Sequence, residues 1–284
     1  MSSSSARKPG PLRRPSGLGG EQVEGCHAVH GLLALGRRPV ERIWLARSSD
    51  PPDPSGRRPA DGPRKPLDGI VALARERGVA VQMKDSAAIV AAARTSAPQG
   101  VIAWARPVRA VPLEQLLAPS GGAAPTFLLV LDQVTDPGNF GALLRSAACA
   151  GAGGVVVSRH RSAPLTPAAV KAAAGAVEVV PIAQVASVAA ALAEVKASGT
   201  WAVGLDPSGD EELWRAPALD GAVALVLGAE GGGLSRLVRR RCDTLVRVPQ
   251  AGMLGSLNVA AAGAVACFEV ARRRVRATVA GAPF

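Results

Sequence analysis

Residues Leu131 to Ser146 read LDQVTDPGNFGALLRS. An apolar run, Phe127 to Leu131, arrives at an acid, a proline, a glycine and an asparagine, and a helical pattern begins at once. That order describes a strand driving into a tight turn, with polar side chains at its carboxyl end and a helix N-terminus beside them. In α/β sheets ligands bind in that position. Asn139 and Arg145 lie six apart, within two helical turns. Both serve one site near the strand end only if the turn folds Asn139 back toward it.

Downstream the alternation continues. A helix is expected over 138–150, closed by Gly151, Gly153 and Gly154, then a strand at 155–158. Glycines after a helix and before a strand suit a helix C-cap; a Rossmann dinucleotide loop needs strand, glycines, helix. Helices follow at 167–174, 185–197 and 234–240, and strands at 177–182, 201–205, 222–227 and 244–248. The 222–227 run is wholly apolar, as in strands buried on both faces. A closing helix over 257–274 is apolar almost all round at first, so its first half should be buried. Arg272, Arg273, Arg274 and Arg276 should complement its carboxyl end and meet solvent.

Upstream, a second alternation gives a small α/β module over 21–108. Its helices are expected at 27–35, 67–77 and 86–93, and its strands at 40–46, 79–83 and 100–105. A Pro/Asp/Arg-rich loop interrupts it at 48–66, and a Pro/Gly-rich linker over 109–126 separates it from the larger domain, 127–276. Residues 1–20 carry Arg7, Lys8, Arg13 and Arg14 among Ser, Pro and Gly and read as a disordered basic tail, either a solvated arm or a weak, salt-sensitive phosphate contact. Residues 277–284 read as a second tail.

The 284 residues suit two modest domains. They are 48% hydrophobic but only 3% aromatic, without Tyr, so packing rests on Ala, Val and Leu. Lys and Arg total 33 against 22 Asp and Glu, a formal charge of +11. Such a balance favours polyanion partners, nucleic acid before membrane, although a GC-rich coding sequence also swells Arg. Cys26, Cys149, Cys242 and Cys267 are scattered without C-x-x-C or histidine at ligand spacing, and read as buried thiols of a reducing cytosol. No leader-like apolar run opens the chain, and the most apolar stretch, 257–268, is short of the roughly 20 residues that span a bilayer. A soluble, cytoplasmic protein without a metal site is expected.

Three glycine-bearing polar segments each follow an apolar strand: 131–146, GAEGGG at 228–233 and PQAGMLGSLN at 249–258. Glycines there let backbone groups approach a flat ligand. Each alone is weak evidence, but together and in this order they are specific. They resemble the three motifs of the SpoU/TrmH family of RNA ribose 2′-O-methyltransferases, within the SPOUT superfamily. The matches are Leu131-Asp-x-Val-x-Asp-Pro-x-Asn-x-Gly-Ala-x-x-Arg-Ser146, Leu227-Gly-Ala-Glu-Gly-x-Gly-Leu234, and Val248-Pro-x-Ala-Gly252 with Ser256-Leu-Asn-Val259. Lys171, Gly175, Ala176 and Glu178 fit the family's connecting segment. Val23-x-Gly25-x-His27-Ala28-Val29 looks like the start of its ribosomal-protein-like substrate-binding domain.

The resemblance implies a fold, a donor and a substrate. The fold is an α/β domain with a parallel sheet and a deep trefoil knot, preceded by the small RNA-binding module. The donor is S-adenosylmethionine, contacted through Gly228, Val248 and Leu257. The catalytic cluster carried over is Asn139, Arg145, Glu230, Ser256 and Asn258. The protein would act as a homodimer on ribosomal RNA, most like the branch that methylates a guanosine ribose of the large subunit. Transfer RNA is the rival substrate, and a non-catalytic RNA-binding assembly factor the rival class.

A ribose hydroxyl must lose a proton as the methyl transfers, and a sulfonium donor needs no metal, so positioning and proton removal fall to the protein. In the family the counterpart of Arg145 is proposed as base; a second reading has it grip the substrate phosphate while Asn139 and Glu230 orient the hydroxyl. Arg145 also suits a helix-face ion partner, Glu230 a helix N-terminal carboxylate, Ser256 the N-cap of the closing helix, and His27 a packed or capping residue. Met253, Leu254 and Gly255 stand where the family has small polar residues, Ala260 where a serine is common, and Pro98 before Gln99-Gly100 where relatives often have histidine.

Overall fold

The computed structural model describes residues 17–47, 66–118, 125–252 and 256–280, the side chains of 66 and 276–280 excepted. Residues 48–65 of the loop expected over 48–66, residues 1–16 of the expected tail, residues 119–124 of the expected linker, Met253 to Gly255, and 281–284 lie outside the described residues; Pro66 begins a helix instead.

The N-terminal module runs β1 (Gln22–Glu24), α1 (Cys26–Leu35), β2 (Val40–Ala46), α2 (Pro66–Glu76), β3 (Val81–Lys84), α3 (Ser86–Ala92) and β4 (Val101–Ala105). Its sheet order is β1-β4-β2-β3, with β2 and β3 parallel and the other pairs antiparallel. Ile43, Leu45, Val101 and Ala103 alternate toward one face, where they share a core with Val29 and Leu32 of α1 and Ile70 and Ala74 of α2. The glycine expected to stop α1, Gly36, does so in the left-handed conformation.

Next come α4 (Leu113–Leu117), β5 (Phe127–Leu131), α5 (Pro137–Cys149), β6 (Gly154–Ser158), α6 (Pro167–Ala173), β7 (Ile182–Val185) and α7 (Val188–Ala197). The chain ends with β8 (Trp201–Leu205), β9 (Glu211–Glu212), β10 (Val223–Leu227), α8 (Arg236–Arg241), β11 (Thr244–Arg247) and α9 (Val259–Ala280). Seven strands form one sheet in the order β7-β6-β5-β10-β8-β11-β9, parallel throughout. The period of two sorts its apolar runs onto two faces. Leu129, Leu131, Val155, Leu225 and Leu227 pack with α5, α6 and α9; Leu128, Val130, Val156, Ala224 and Val226 pack with α4, α7 and α8. β6 and β7 build outward from β5 on one side; the chain then lays β8 on the other, and β10 later slots between β5 and β8. The carboxyl ends of β5, β10 and β8 therefore adjoin at the point where the strand order reverses.

Several expectations need correction. The strand read at 177–182 is a 3-10 turn over Ala176–Glu178, and pairing begins only at Ile182. Valines favour strand, but Pro181 cannot donate to a ladder and Glu178 is held elsewhere. The linker contains α4, whose Leu113 and Leu116 are buried on the large sheet. Residues 17–20 are not tail: Leu18 and Gly20 donate to Val108 and Leu165, and Leu18 accepts from Leu165. The closing helix runs on to Ala280, so Arg273 and Arg274 sit inside it rather than at its end. Arg273 joins Glu269 and Asp220, and Arg274 lies 5.2 Å over the Phe127 ring. The first half of α9 is not wholly buried, because Phe268 is 52% exposed. Of the cysteines only Cys267 is buried, and Cys149 is exposed. Burial pushes the Cys242 and Cys267 thiols up to about 12.

The two modules share one core rather than meeting across a linker: Val23, Val29 and Leu32 lie in the same cluster as Ala169, Ala173 and Val177. An ion pair between Arg38 and Glu178, 2.6 Å with both side chains under 10% exposed, pins that junction. Arg38 also donates to the Gly20 carbonyl, 2.9 Å, so its donors are engaged on both sides. Removing one partner of a buried pair strands the other charge, which typically costs about 3–5 kcal/mol. The Glu178→Ala protein is expected to lose stability on that order in urea titration; a loss under about 1 kcal/mol would show that the junction does not depend on this pair.

Candidate active site

Asp136 caps α5 by accepting the Asn139 N–H at 2.7 Å, with Pro137 at the first helical position. That cap answers the condition set by the six-residue spacing: Asn139 belongs to the first turn, at the carboxyl end of β5. The second segment folds as a closed turn in which Ala229 and Gly233 exchange backbone hydrogen bonds of 3.0 and 2.9 Å. Gly228 is required there for space: a Cβ would lie 2.0 Å from the carbonyl carbon of Gly233. The buried Asp132 carboxylate accepts the Ser235 N–H at 2.8 Å and ties the first segment to the second.

The third segment brings Asn258, whose side chain works at both ends. Its Oδ1 accepts the N–H groups of Ala260 and Ala261, at 2.9 and 3.3 Å, and so caps α9. The cap is thus Asn258, not Ser256 as the sequence pattern led us to expect. Its Nδ2 donates to Asn139 Oδ1 and to Glu230 Oε1, each at 3.0 Å. Asn139 Nδ2 in turn donates to Glu230 Oε2 at 2.8 Å. Three residues from three segments close a ring. Glu230 is therefore a partner of two amides and not a helix N-terminal carboxylate, since α8 begins only at Arg236.

A cavity of about 600 Å³ opens beside the ring. Gly228, Glu230, Val248, Ser256, Leu257 and Asn258 all line it. Leu205, Leu227, Val259 and Ala262 add apolar wall. Arg145 does not line it. Six residues along α5 place it about 9 Å from Asn139 and turned to another face. It lies instead in a second cleft, between the modules, with Lys171 and Arg94. His27, expected as a packed or capping residue, is exposed and lines that same cleft, and the N-cap of α1 is Gly25.

Asp206, Ser208 and Arg239, which belong to none of the three motifs, also line the cavity. Asp206 is 7% exposed. It accepts from the Ser208 N–H and hydroxyl at 2.9 and 2.7 Å and from Arg239 at 2.5 Å. Burial pushes its carboxyl up, but the Ser208 hydrogen bonds and Arg239 outweigh that and hold it below the usual range. The available signal was Asp206 itself, an acid directly after a strand.

Residues 126–268 match the SpoU rRNA Methylase family, and residues 22–111 match the family described as RNA 2'-O ribose methyltransferase substrate binding. The chain belongs to the SpoU rRNA methylase family. It is 39% identical over 257 residues to the 23S rRNA (guanosine-2'-O-)-methyltransferase RlmB of Pseudomonas syringae pv. tomato, covering 89% of this chain and 96% of that one. The RlmB of Escherichia coli K12 is 34% identical, covering 89% and 99%. The crystal structure of the SpoU methyltransferase AviRb from Streptomyces viridochromogenes, in complex with the cofactor AdoMet, superposes with a TM-score of 0.70 at 25% identity, covering 89% and 90%. Among the described residues no group of three or more His, Cys, Asp or Glu could hold a metal ion, and no helix is long and apolar enough to cross a membrane.

Two outcomes follow for the cavity. The added methyl of Gly228→Ala has no room; overpacking of about 1–3 kcal/mol should weaken cofactor binding about tenfold or more in calorimetry. Unchanged affinity would mean that the turn is not part of the binding surface. Asp206 is held below its unfolded value of about 3.9, so it contributes stability above that pH and loses it as pH falls through the folded value. Wild type should thus exceed Asp206→Asn in urea stability at pH 7, and the difference should shrink as pH falls below about 3.9. A constant difference across that range would exclude the carboxylate's charge as the source.

Proposed function

We propose that this protein transfers a methyl group from S-adenosylmethionine to the ribose 2′-hydroxyl of a guanosine in large-subunit ribosomal RNA. The observation that carries this reading is the Asn139–Glu230–Asn258 ring, closed at the rim of the Gly228 cavity. The residues present fit the donor. The cavity volume lies within the range of cofactor sites, its wall has apolar side chains for a flat base, and no Cβ occupies the approach at Gly228. Asp206, Ser208 and Arg239 offer a charged, hydrogen-bonding end for the polar part.

S-adenosylmethionine, when bound, supplies an already activated methyl. The chain's own groups position the acceptor. Glu230 uses one lone-pair direction on each oxygen for the amides, and a carboxylate has about four such directions. It keeps capacity to accept the ribose hydroxyl hydrogen, and Asn258 holds it still for that task. Orientation of this kind is a large part of what an enzyme adds when no bond to the protein forms. Ser256 and Leu257 stand at the mouth, where Leu257 is 44% exposed. Arg145, outside the cavity and beside Lys171 and Arg94, is suited to grip the substrate phosphate. Proton abstraction by a guanidine, protonated to about pH 12 or above, is the weaker assignment.

The working unit is a homodimer. Support comes from Phe268 and Val275, exposed on α9 at 52% and 64%, which leave apolar surface along that helix. A cytoplasmic location follows from an RNA substrate of this kind. The trefoil knot also belongs to this proposal, and its support is the late insertion of β10 between β5 and β8.

Total RNA incubated with methyl-labelled donor, then mapped at nucleotide resolution, should show one modified guanosine ribose in large-subunit RNA. Label on transfer RNA alone would move the substrate, and none on any RNA would remove the activity. The Arg145→Ala protein should bind the donor with wild-type affinity yet transfer methyl about 10²–10³-fold more slowly. Wild-type turnover would strip Arg145 of any part in the reaction.

A further inference from the structure

A cleft of about 620 Å³ lies between the two modules, apart from the cofactor cavity. Arg145 of α5 and Lys171 of α6 form one wall; Arg94, Thr95 and Gln99, from the segment joining α3 to β4, form the other, with His27 at the edge. No acidic side chain lines it. Among the described residues neither Arg94 nor Arg145 has a carboxylate partner.

The carboxylate that could have neutralised them is otherwise engaged. Glu24 is fully buried and accepts the backbone N–H of Arg94 at 2.7 Å and of Thr95 at 3.1 Å, together with Gln22 Nε2 at 2.8 Å and the Thr95 hydroxyl. It anchors the arginine's backbone and leaves the guanidinium unpaired. The floor is equally fixed. Gln99 Oε1 accepts the Cys26 N–H at 3.0 Å. Gly25, at φ 92°, has no room for a side chain without pressing on Gln99 Oε1, 3.0 Å, and Lys171 Cγ, 3.3 Å. Lys171 reaches across to donate to the Ala97 carbonyl, so the walls are joined by the residue that also supplies charge.

Three cations held on a rigid frame without an anion repel one another until an anion arrives. Two are arginines, whose planar fork matches phosphate oxygens in pairs. We propose that this inter-module cleft binds a phosphodiester of the RNA strand next to the target nucleotide, with Arg94 and Lys171 closing from the two modules on the group that Arg145 also contacts. This rests on the RNA-methylating reading above, and it makes Arg94 and Lys171 positioning residues for that reaction. It also gives the N-terminal module a direct part in placing the acceptor.

The test is the salt dependence of binding to a single-stranded oligoribonucleotide and to a large-subunit rRNA transcript. Each lost phosphate contact lowers the slope of log K against log salt by about 0.7 for a single strand. Arg94→Gln should lower the slope by part of that amount, raise KM for the transcript several-fold and leave donor affinity and melting temperature unchanged. Arg94→Lys should recover most of the loss, and the Arg94→Gln/Lys171→Gln double variant should approach the full loss of about 0.7 for that single phosphate. The exposed Arg75→Gln, which removes equal charge from α2, should leave slope and KM unchanged. Wild-type slope and KM in Arg94→Gln and the double variant would overturn the cleft while leaving the methyltransferase reading intact. Failure of the wild type itself to bind or methylate RNA would instead refute the function on which the cleft depends. Should the double variant melt early, Arg94→Gln alone decides, because the Arg94 side chain makes no hydrogen bond that the fold needs.

Discussion

One side-chain amide couples the fold to the site. Asn258 spends its oxygen on the first turn of α9 and its nitrogen on Asn139 and Glu230. Helix position and ring geometry therefore cannot vary independently. α9 packs against α5 and β10, and α5 carries Asn139. The strand ends thus hold the helices, the helices hold the amides, and the amides hold the carboxylate. Aspartate at 258 could cap as well, but it would oppose Glu230 with a like charge and supply no donor. Serine could cap but could not reach both partners. Asparagine satisfies all three requirements at once.

A chain with so few aromatic residues must reach dense packing by close backbone approach. Its glycines and alanines do this at the contacts that matter for function. Gly228 allows the 229–233 turn to fold back on the end of β10, which opens the adjoining cavity rather than filling it with a side chain. The same economy of volume lets the N-terminal module sit directly on α6, with Arg38 and Glu178 as a buried polar pin beside the apolar contacts of the junction. A pair buried on both sides fixes orientation through its several hydrogen bonds, and orientation is what a substrate module needs relative to a catalytic one.

The sequence carried most of this, through features that act locally. Strand 127–131 and its turn were legible because Asp136, Pro137 and the apolar run each act on immediate neighbours. The three site segments were legible because each follows a strand. What could not be read depends on distant partners. Val177 to Val180 favour a strand by propensity, yet Glu178 is drawn to Arg38, 140 residues away, and a 3-10 turn results. Ser256 is as good a cap by type as Asn258, and only the position of α9 separates them. Asp206 and Arg239 belong to no motif in the reading, and they meet only because β8 and α8 are neighbours in space.

The spacing of Asn139 and Arg145 was the first clue, and its meaning is now geometric. Residues six apart on a helix are turned away from one another by about 120°, so α5 presents Asn139 to Glu230 and Asn258 of the ring beside the cofactor cavity, and Arg145 to the inter-module cleft. A single helix then joins two places, the polar ring at the cofactor cavity and a cleft lined by cations. In the proposed reaction an RNA strand crossing α5 would lay its ribose on the first and its phosphate on the second. The helix acts as a ruler: the rise along it, about 9 Å, matches neither a free ion nor an isolated nucleoside, which could occupy only one compartment. Selection for polymer over mononucleotide is in that case a property of the helix that joins the two sites, and needs no contact with the base.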